Sequence, residues 1–225
     1  MSVVIRATPV VGDPRLLDLL DPGERERAAR RSDPNPFVTA HALLRRLVSD
    51  ETGADARSLA FEKRCATCGT DRHGKPHIVG MRDVFVSVSY GEHMAVAAVT
   101  RLGEVGVDVE DLESADFDGF GSVTLDASET APLEDLAGDE LLAARALVWA
   151  RKEAILKATG HGLVVDPSEV VVSSPDAPPT LVEWKAPQHP PGPTQLCDVD
   201  IGAPDHRAAV AVLTSRPLSV RVQLG

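Results

Sequence analysis

Val105-Gly106-Val107-Asp108-Val109-Glu110 and, some forty residues later, Trp149-Ala150-Arg151-Lys152-Glu153-Ala154-Ile155-Leu156-Lys157 decide how this chain is read. In the first stretch, valines at 105, 107 and 109 alternate with Gly106, Asp108 and Glu110, the period-2 pattern of a strand with one buried face. Asp108 and Glu110 therefore leave the same face, roughly 6–7 Å apart along the strand. In the second stretch, Trp149, Glu153 and Lys157 recur every fourth residue and share a helical face, while Val148 and Ile155 point the other way. Gly160 and Gly162 end that helix, because glycine readily takes the left-handed conformation of a C-cap. Taken singly, each stretch has an ordinary reading: an apolar strand ending in acids, and an i,i+4 Glu–Lys pair. Together, three carboxylates and nearby cations suit a divalent metal and a phosphorylated ligand.

The bulk properties narrow the function classes. With 225 residues, 43% hydrophobic and 25% charged, the chain is long enough for one large domain or two small ones with a real core. No apolar run approaches the ~20 residues of a membrane span. The start, Met1-Ser2-Val3-Val4-Ile5-Arg6, does not read as a signal peptide, so a cytoplasmic protein is expected. The net charge of −11 is unevenly spread. Up to Val107 there are 15 Lys and Arg against 14 Asp and Glu; from Asp108 onward, 8 against 20. This balance disfavours a nucleic-acid binder and favours a site with cations from one half and acids from the other. Cys65-Ala66-Thr67-Cys68 either supplies half of a zinc site, completed by His73, His77 or Cys197, or holds reduced thiols in a turn; with no second C-x-x-C, structural zinc is the less expected.

Periodicity predicts strands near Val3–Ala7, Ser58–Glu62, Val84–Ser89, Met94–Thr100 and Val105–Glu110, and helices over Pro14–Arg31, Phe37–Glu51 and Asp139–Thr159. Further strands are predicted near Glu169–Ser173, Leu181–Trp184, Ala208–Leu213 and Leu218–Val222, with proline-rich loops at Ser174–Pro179 and Pro187–Pro193. A weak repeat points to two similar halves. His93-Met94-Ala95-Val96-Ala97-Ala98-Val99 is echoed by His206-Arg207-Ala208-Ala209-Val210-Ala211-Val212, and the helix ending Thr52-Gly53 by the one ending Thr159-Gly160.

The two opening stretches resemble the signature motifs of the 4'-phosphopantetheinyl transferase superfamily, (V/I)-G-(V/I)-D-(V/I)-E and W-x-x-K-E-x-x-x-K followed by G-x-G-L, here Gly160-His161-Gly162-Leu163. The length fits the surfactin-type members, which resemble two fused copies of one α+β unit with the active site between them. The resemblance implies an α+β fold built as a pseudo-twofold pair of α/β subdomains, 1–107 and 108–225, acting as a monomer. It implies transfer of 4'-phosphopantetheine from coenzyme A to a serine of an apo acyl or peptidyl carrier protein, with release of 3',5'-ADP and dependence on Mg²⁺. Asp108, Glu110 and Glu153 are the implied metal ligands. Glu153, or Glu110 through a water, would take the serine proton, and Lys157 would stabilise the pyrophosphate.

Other positions follow the family less closely. His73-Gly74-Lys75-Pro76 resembles its G-K-P turn, which makes Lys75 and Pro76 candidate coenzyme A contacts. Ala40-His41-Ala42-Leu43-Leu44-Arg45 resembles its N-terminal helix; Arg45 either holds the phosphate region or forms a salt bridge. Arg25, Arg27, Arg30 and Arg31 lie where the family holds cations for the 3'-phosphate, although most read as a solvated helix face. Lys152 is a further coenzyme A candidate, about 100° round the helix from Glu153. Ser87-Val88-Ser89-Tyr90-Gly91 departs from the family's S-(L/I)-S-H-S-G: Ser89 is kept, but Tyr90 stands where a histidine is expected. Pro36 also replaces a basic residue common in relatives. These departures leave two rivals open, a non-catalytic binder of coenzyme A or a carrier, and a Mg²⁺-dependent pyrophosphate hydrolase.

Overall fold

The computed structural model describes residues 2–64, 69–70 and 74–225. Strand β1 (Val3–Pro9) is followed by a 3-10 turn at Pro14–Leu19 and helices α1 (Pro22–Ala29) and α2 (Asn35–Thr52). Strands β2 (Phe61–Arg64), β3 (Lys75–Ile78), β4 (Phe85–Tyr90), β5 (Met94–Thr100) and β6 (Val105–Asp111) come next. Short helices α3 (Phe120–Thr124) and α4 (Ala127–Thr130) lead into the long helix α5 (Gly138–Thr159). Strands β7 (Val170–Val172), β8 (Leu181–Trp184), β9 (Thr194–Val199), β10 (His206–Leu213) and β11 (Val220–Leu224) complete the order.

The strands pair as β11-β1-β5-β4-β3-β2, as β6-β10-β9, and as β7-β8. The side-chain alternation of these strands explains how they stack. In β5 every residue is buried. Ala95, Ala97 and Val99 join Leu43, Leu44, Leu47 and Val48 of α2 on one face, while Met94, Val96 and Ala98 join Val105, Val107 and Val109 of β6 on the other. Strand β10 alternates likewise: Ala208, Val210 and Val212 face that shared core, and Ala209 and Ala211 face α5. The result is helix, sheet, sheet, helix, with α2 and α5 on the outside. Each half contributes one helix on one sheet, a mixed α+β arrangement as expected. Both outer helices end at a left-handed glycine, Gly53 (φ 76°) and Gly160 (φ 75°). The halves are also laced together. Strand β6 runs across the 107/108 division, and β11 returns to pair in parallel with β1.

Two expectations change, and strands β3 and β9 come in addition to those expected. The helix expected over Pro14–Arg31 is broken at Asp21, whose carboxylate caps α1 in a reciprocal capping box with Glu24. The strand expected at Ser58–Glu62 lies at Phe61–Arg64 and pairs with β3, a strand hidden in the G-K-P turn pattern. Strand β9 is a half-buried edge strand whose mixed composition, Thr-Gln-Leu-Cys-Asp-Val, gives a weak periodic signal. Cys65, Cys68 and His73 lie outside the described residues; Cys197 is a free thiol. Among the described residues, no helix is long and apolar enough to cross a membrane.

Candidate active site

The site begins with a close approach. Because the valines of β6 face the core between the sheets, Gly106, Asp108 and Glu110 face away from it, on the side where α5 lies. At Gly106 the helix backbone presses directly on the strand. A Cβ there would stand 1.9 Å from the Ala154 carbonyl oxygen and 2.4 Å from the Ala158 nitrogen, so only glycine fits. Asp108, two residues further on, then meets the last turns of α5. Lys157 Nζ donates to Asp108 Oδ1 (2.5 Å) and to Ser89 Oγ (2.8 Å), and Ser89 Oγ donates to the same carboxylate oxygen (2.8 Å). Asp108 is 1% exposed, whereas the Lys157 side chain keeps 29% of its surface open. Ser87 ties the strands beneath, its Oγ accepting from Val107 N at 3.0 Å.

The electrostatics show a cluster short of positive charge. Burial, reinforced by the charge of Asp108, raises the Glu153 carboxyl to a pKa of about 7 despite the nearby Lys157. Glu110 is pushed up by burial and by Asp108, with a hydrogen bond from Ser114 opposing the shift. Burial disfavours charge on Lys157, but Asp108, Glu153 and Glu110 outweigh it and raise the ammonium's pKa. Asp108 Oδ2 and Glu153 Oε1 are buried without a hydrogen-bond partner. Such orphaned carboxylate oxygens are costly and suit a hard cation. Among the described residues no three acidic, histidine or cysteine side chains are drawn closely enough together to enclose a metal as they stand. Lys157 is the cation that Asp108 has here.

Glu153 and Lys157 open on a cavity of about 920 Å³ lined by both halves of the chain. Arg27, Arg31, Lys63 and Lys75 line it from the first half, and the Gly160–Val164 turn from the second. Pro76 and Tyr90 line it too. Lys75 does more than face the cavity. Its ammonium donates to the Val105 carbonyl and to Lys157 O (3.2 Å), with Glu104 3.3 Å away, so it bridges the start of β6 and the end of α5. Burial lowers its pKa to about 8, although Glu104 works against the shift.

Three sequence candidates are placed elsewhere. Arg45 is wholly buried under α1, donating to Glu24 (2.8 Å), Asp21 (2.9 Å) and the carbonyls of Ala56 and Leu59. Lys152 is equally buried and donates to Glu129 (2.5 Å), Thr124 O (2.7 Å) and Pro167 O (3.0 Å). Arg25 donates to the Leu17 carbonyl (2.9 Å), beside a separate smaller hollow. Each of these cations is committed to a local structural partner. Of the arginine cluster, Arg27 and Arg31 turn to the cavity, while Arg30 pairs with Glu26. The sequence reading missed Gly106 as the contact point, Ser87 as a brace, and Glu24 and His41 as part of the cavity wall. The glycine was visible in its motif, but nothing local shows that a helix crosses it.

Residues 104–211 match the family model described as the 4'-phosphopantetheinyl transferase superfamily. A protein of Synechocystis sp. (strain ATCC 27184 / PCC 6803 / Kazusa), provisionally named a 4'-phosphopantetheinyl transferase, is 27% identical over 157 residues, covering 68% of this chain and 61% of that protein. A 4'-phosphopantetheinyl transferase of Bacillus subtilis is 22% identical over 152 residues, covering 66% of this chain and 64% of its own length. The chain thus spans less than two thirds of each of these relatives. A holo-(acyl-carrier-protein) synthase from Bacillus anthracis str. Ames, solved in complex with CoA (3',5'-ADP), superposes on 51% of this chain and 98% of its own at a TM-score of 0.41 and 24% identity, a likeness too distant to speak to function. The matched segment contains Asp108, Glu110, Glu153 and Lys157 together with the Gly106 contact that joins them, so the site lies within the part of the chain that is similar to the 4'-phosphopantetheinyl transferase superfamily.

Proposed function

We propose that this protein transfers 4'-phosphopantetheine from coenzyme A to a serine hydroxyl of an acyl or peptidyl carrier protein, in the manner of the fused, surfactin-type enzymes. The reading is carried by one observation: β6 and α5, pressed together at Gly106, set Asp108 and Lys157 against each other beside a cavity walled by both halves. In the reaction the serine oxygen bonds to the phosphorus that carries pantetheine. The bond from that phosphorus to the 3',5'-ADP oxygen breaks, and the serine proton goes to a base.

Glu153 suits that base. In the metal-free site its carboxyl, raised to a pKa of about 7, is partly ionised at neutral pH and able to accept a proton there. Lys157, charged and partly open to the cavity, binds the negative oxygens of the pyrophosphate and the departing phosphate. Lys75 holds the strand and helix that bear these groups in register. Asp108, Glu110 and Glu153 would hold Mg²⁺, and the orphaned oxygens of Asp108 and Glu153 fit such an ion. When bound, Mg²⁺ would offset the pyrophosphate charge that repels an oxygen nucleophile.

Incubation with coenzyme A, Mg²⁺ and a panel of apo-carriers, followed by mass spectrometry, tests the reading. A carrier that gains one phosphopantetheine supports it. Cleavage of coenzyme A with every carrier unmodified would mean a hydrolase, and intact coenzyme A throughout would mean a binder.

A further inference from the structure

Arg27 and Arg31 differ from the ion-paired arginines of this chain. Arg15, Arg30, Arg45, Arg101, Arg151 and Arg221 each sit within ion-pair distance of an acid. Among the described residues neither Arg27 nor Arg31 has such a partner, yet both line the cavity. What holds them is a ring. Arg31 Cζ lies 4.7 Å from the Phe37 ring centroid and 5.9 Å from that of Tyr90, and Arg27 Cζ lies 5.9 Å from Phe37. Stacking on an aromatic face fixes a guanidinium while leaving its charge and N–H donors available for an anion.

The ring is itself locked. Phe37 is 2% exposed, stacks on His41 one helical turn away (4.0 Å between centroids, 28° between planes), and meets the edge of Tyr90 at 6.2 Å and 88°. His41 Nδ1 donates to Glu24 (2.9 Å), whose other oxygen accepts from the buried Arg45. Hence the Glu24–Arg45 pair beneath α1 anchors a stack that runs through His41 to Phe37 and ends at the cavity. Lys63, also on the cavity wall, is close enough to Arg27 and Arg31 for their charge, after burial itself, to lower its pKa. Three cations therefore converge there; Glu24 on the same wall partly offsets the charge at Lys63, but among the described residues none of the three has an acid within ion-pair distance.

We propose that Phe37, backed by Tyr90, is a positioning residue that holds the Arg31 guanidinium toward the cavity for an anionic group of coenzyme A. This rests on coenzyme A as the ligand, and it gives the tyrosine at position 90 a part that a charged histidine would not play. The side chains act through Arg31 rather than on the ligand.

Coenzyme A binding, measured calorimetrically with EDTA present, tests this on the full chain with F37L, Y90L, R31A and the doubles F37L/R31A and Y90L/R31A. Loss of the Arg31 charge should weaken binding about tenfold. F37L, which keeps an apolar side chain in the core but removes the ring face, should weaken it roughly fivefold, and Y90L roughly twofold. In the R31A background neither substitution should weaken binding further, whereas a merely structural role would cost the same in both backgrounds. Equal losses in both backgrounds, or no loss with F37L and Y90L alike, would overturn the proposal. Melting curves identify a variant that fails to fold, and Y90L then decides in place of F37L. Coupled binding by a protein that modifies no carrier would leave this positioning role standing and refute the transferase reading; absence of coenzyme A binding by the wild-type chain would refute both.

Discussion

Two faces of α5 carry nearly the same chemistry and have opposite characters. On one, Lys152 is sealed from solvent with its three donors met by Glu129, Thr124 O and Pro167 O, while the other oxygen of Glu129 accepts from Val172 N. On the other, Glu153 and Lys157 meet Asp108, and two carboxylate oxygens are left without partners. The first cluster is satisfied, and it pins α5 to the segments around α4 and β7. The second holds three acids whose charges repel, with one lysine to offset them. Buried polar groups left unpaired in a native fold call for an explanation, and the cation proposed for the reaction would supply one. The same contrast recurs near α2, where Arg45 is fully paired and Arg31 is held by rings.

Substitutions on the two faces should therefore differ in kind. E153Q should lower the rate of carrier modification about a thousandfold, within the range for loss of a general base, with the fold retained. In metal-free buffer it should also stabilise the protein. A carboxyl whose folded pKa is raised costs stability as pH climbs from its ordinary value of 4.5 through about 7, because the folded state must then release the proton against its surroundings. The gain should be small at pH 5 and full at pH 8, about 2–4 °C in melting midpoint for each kcal/mol recovered in a chain of this size. An E153Q protein that melts lower than wild type at pH 8 would break the comparison. K152M should do the reverse, losing about 3–5 kcal/mol in denaturant unfolding because Glu129 is left buried and unpaired. A K152M protein of normal stability with impaired coenzyme A binding would return Lys152 to the ligand site. G106A comes next, at about 3 kcal/mol, since the strand or the helix must move to admit a methyl group. Its displacement of α5 should reduce transfer as well; a fully active, stable G106A would mean that the close contact is unnecessary.

How much of this was legible in the sequence depended on whether the deciding partner was local. Strands β5 and β6 and helices α2 and α5 declare themselves through periodicity, because one residue pattern faces one core. The break at Asp21-Pro22 also had a local signal, a capping box that a continuous apolar reading ran over. The short strand β3 and the edge strand β9 did not declare themselves, since half-buried residues beside proline or polar neighbours read as loop. At the site, Asp108, Glu153 and Lys157 could be nominated from strand and helix geometry. Arg45 and Lys152 could not be dismissed in the same way. Their partners Glu24 and Glu129 lie 21 and 23 residues away, and a lysine in a motif looks the same whether it faces a ligand or a buried glutamate. The choice of Arg31 over Arg25 and Arg30 likewise required knowing where Phe37 and Tyr90 fall.

The central claim is that a carboxylate of β6 and one of α5 serve a single cation. Calorimetric titration of the metal-free protein with Mg²⁺ at pH 8, on wild type, D108N and E153Q, tests it most directly. One site in the wild type, lost in both variants while each remains folded, is the predicted result. Mg²⁺ binding that survives either substitution unchanged would show that the two acids do not share an ion.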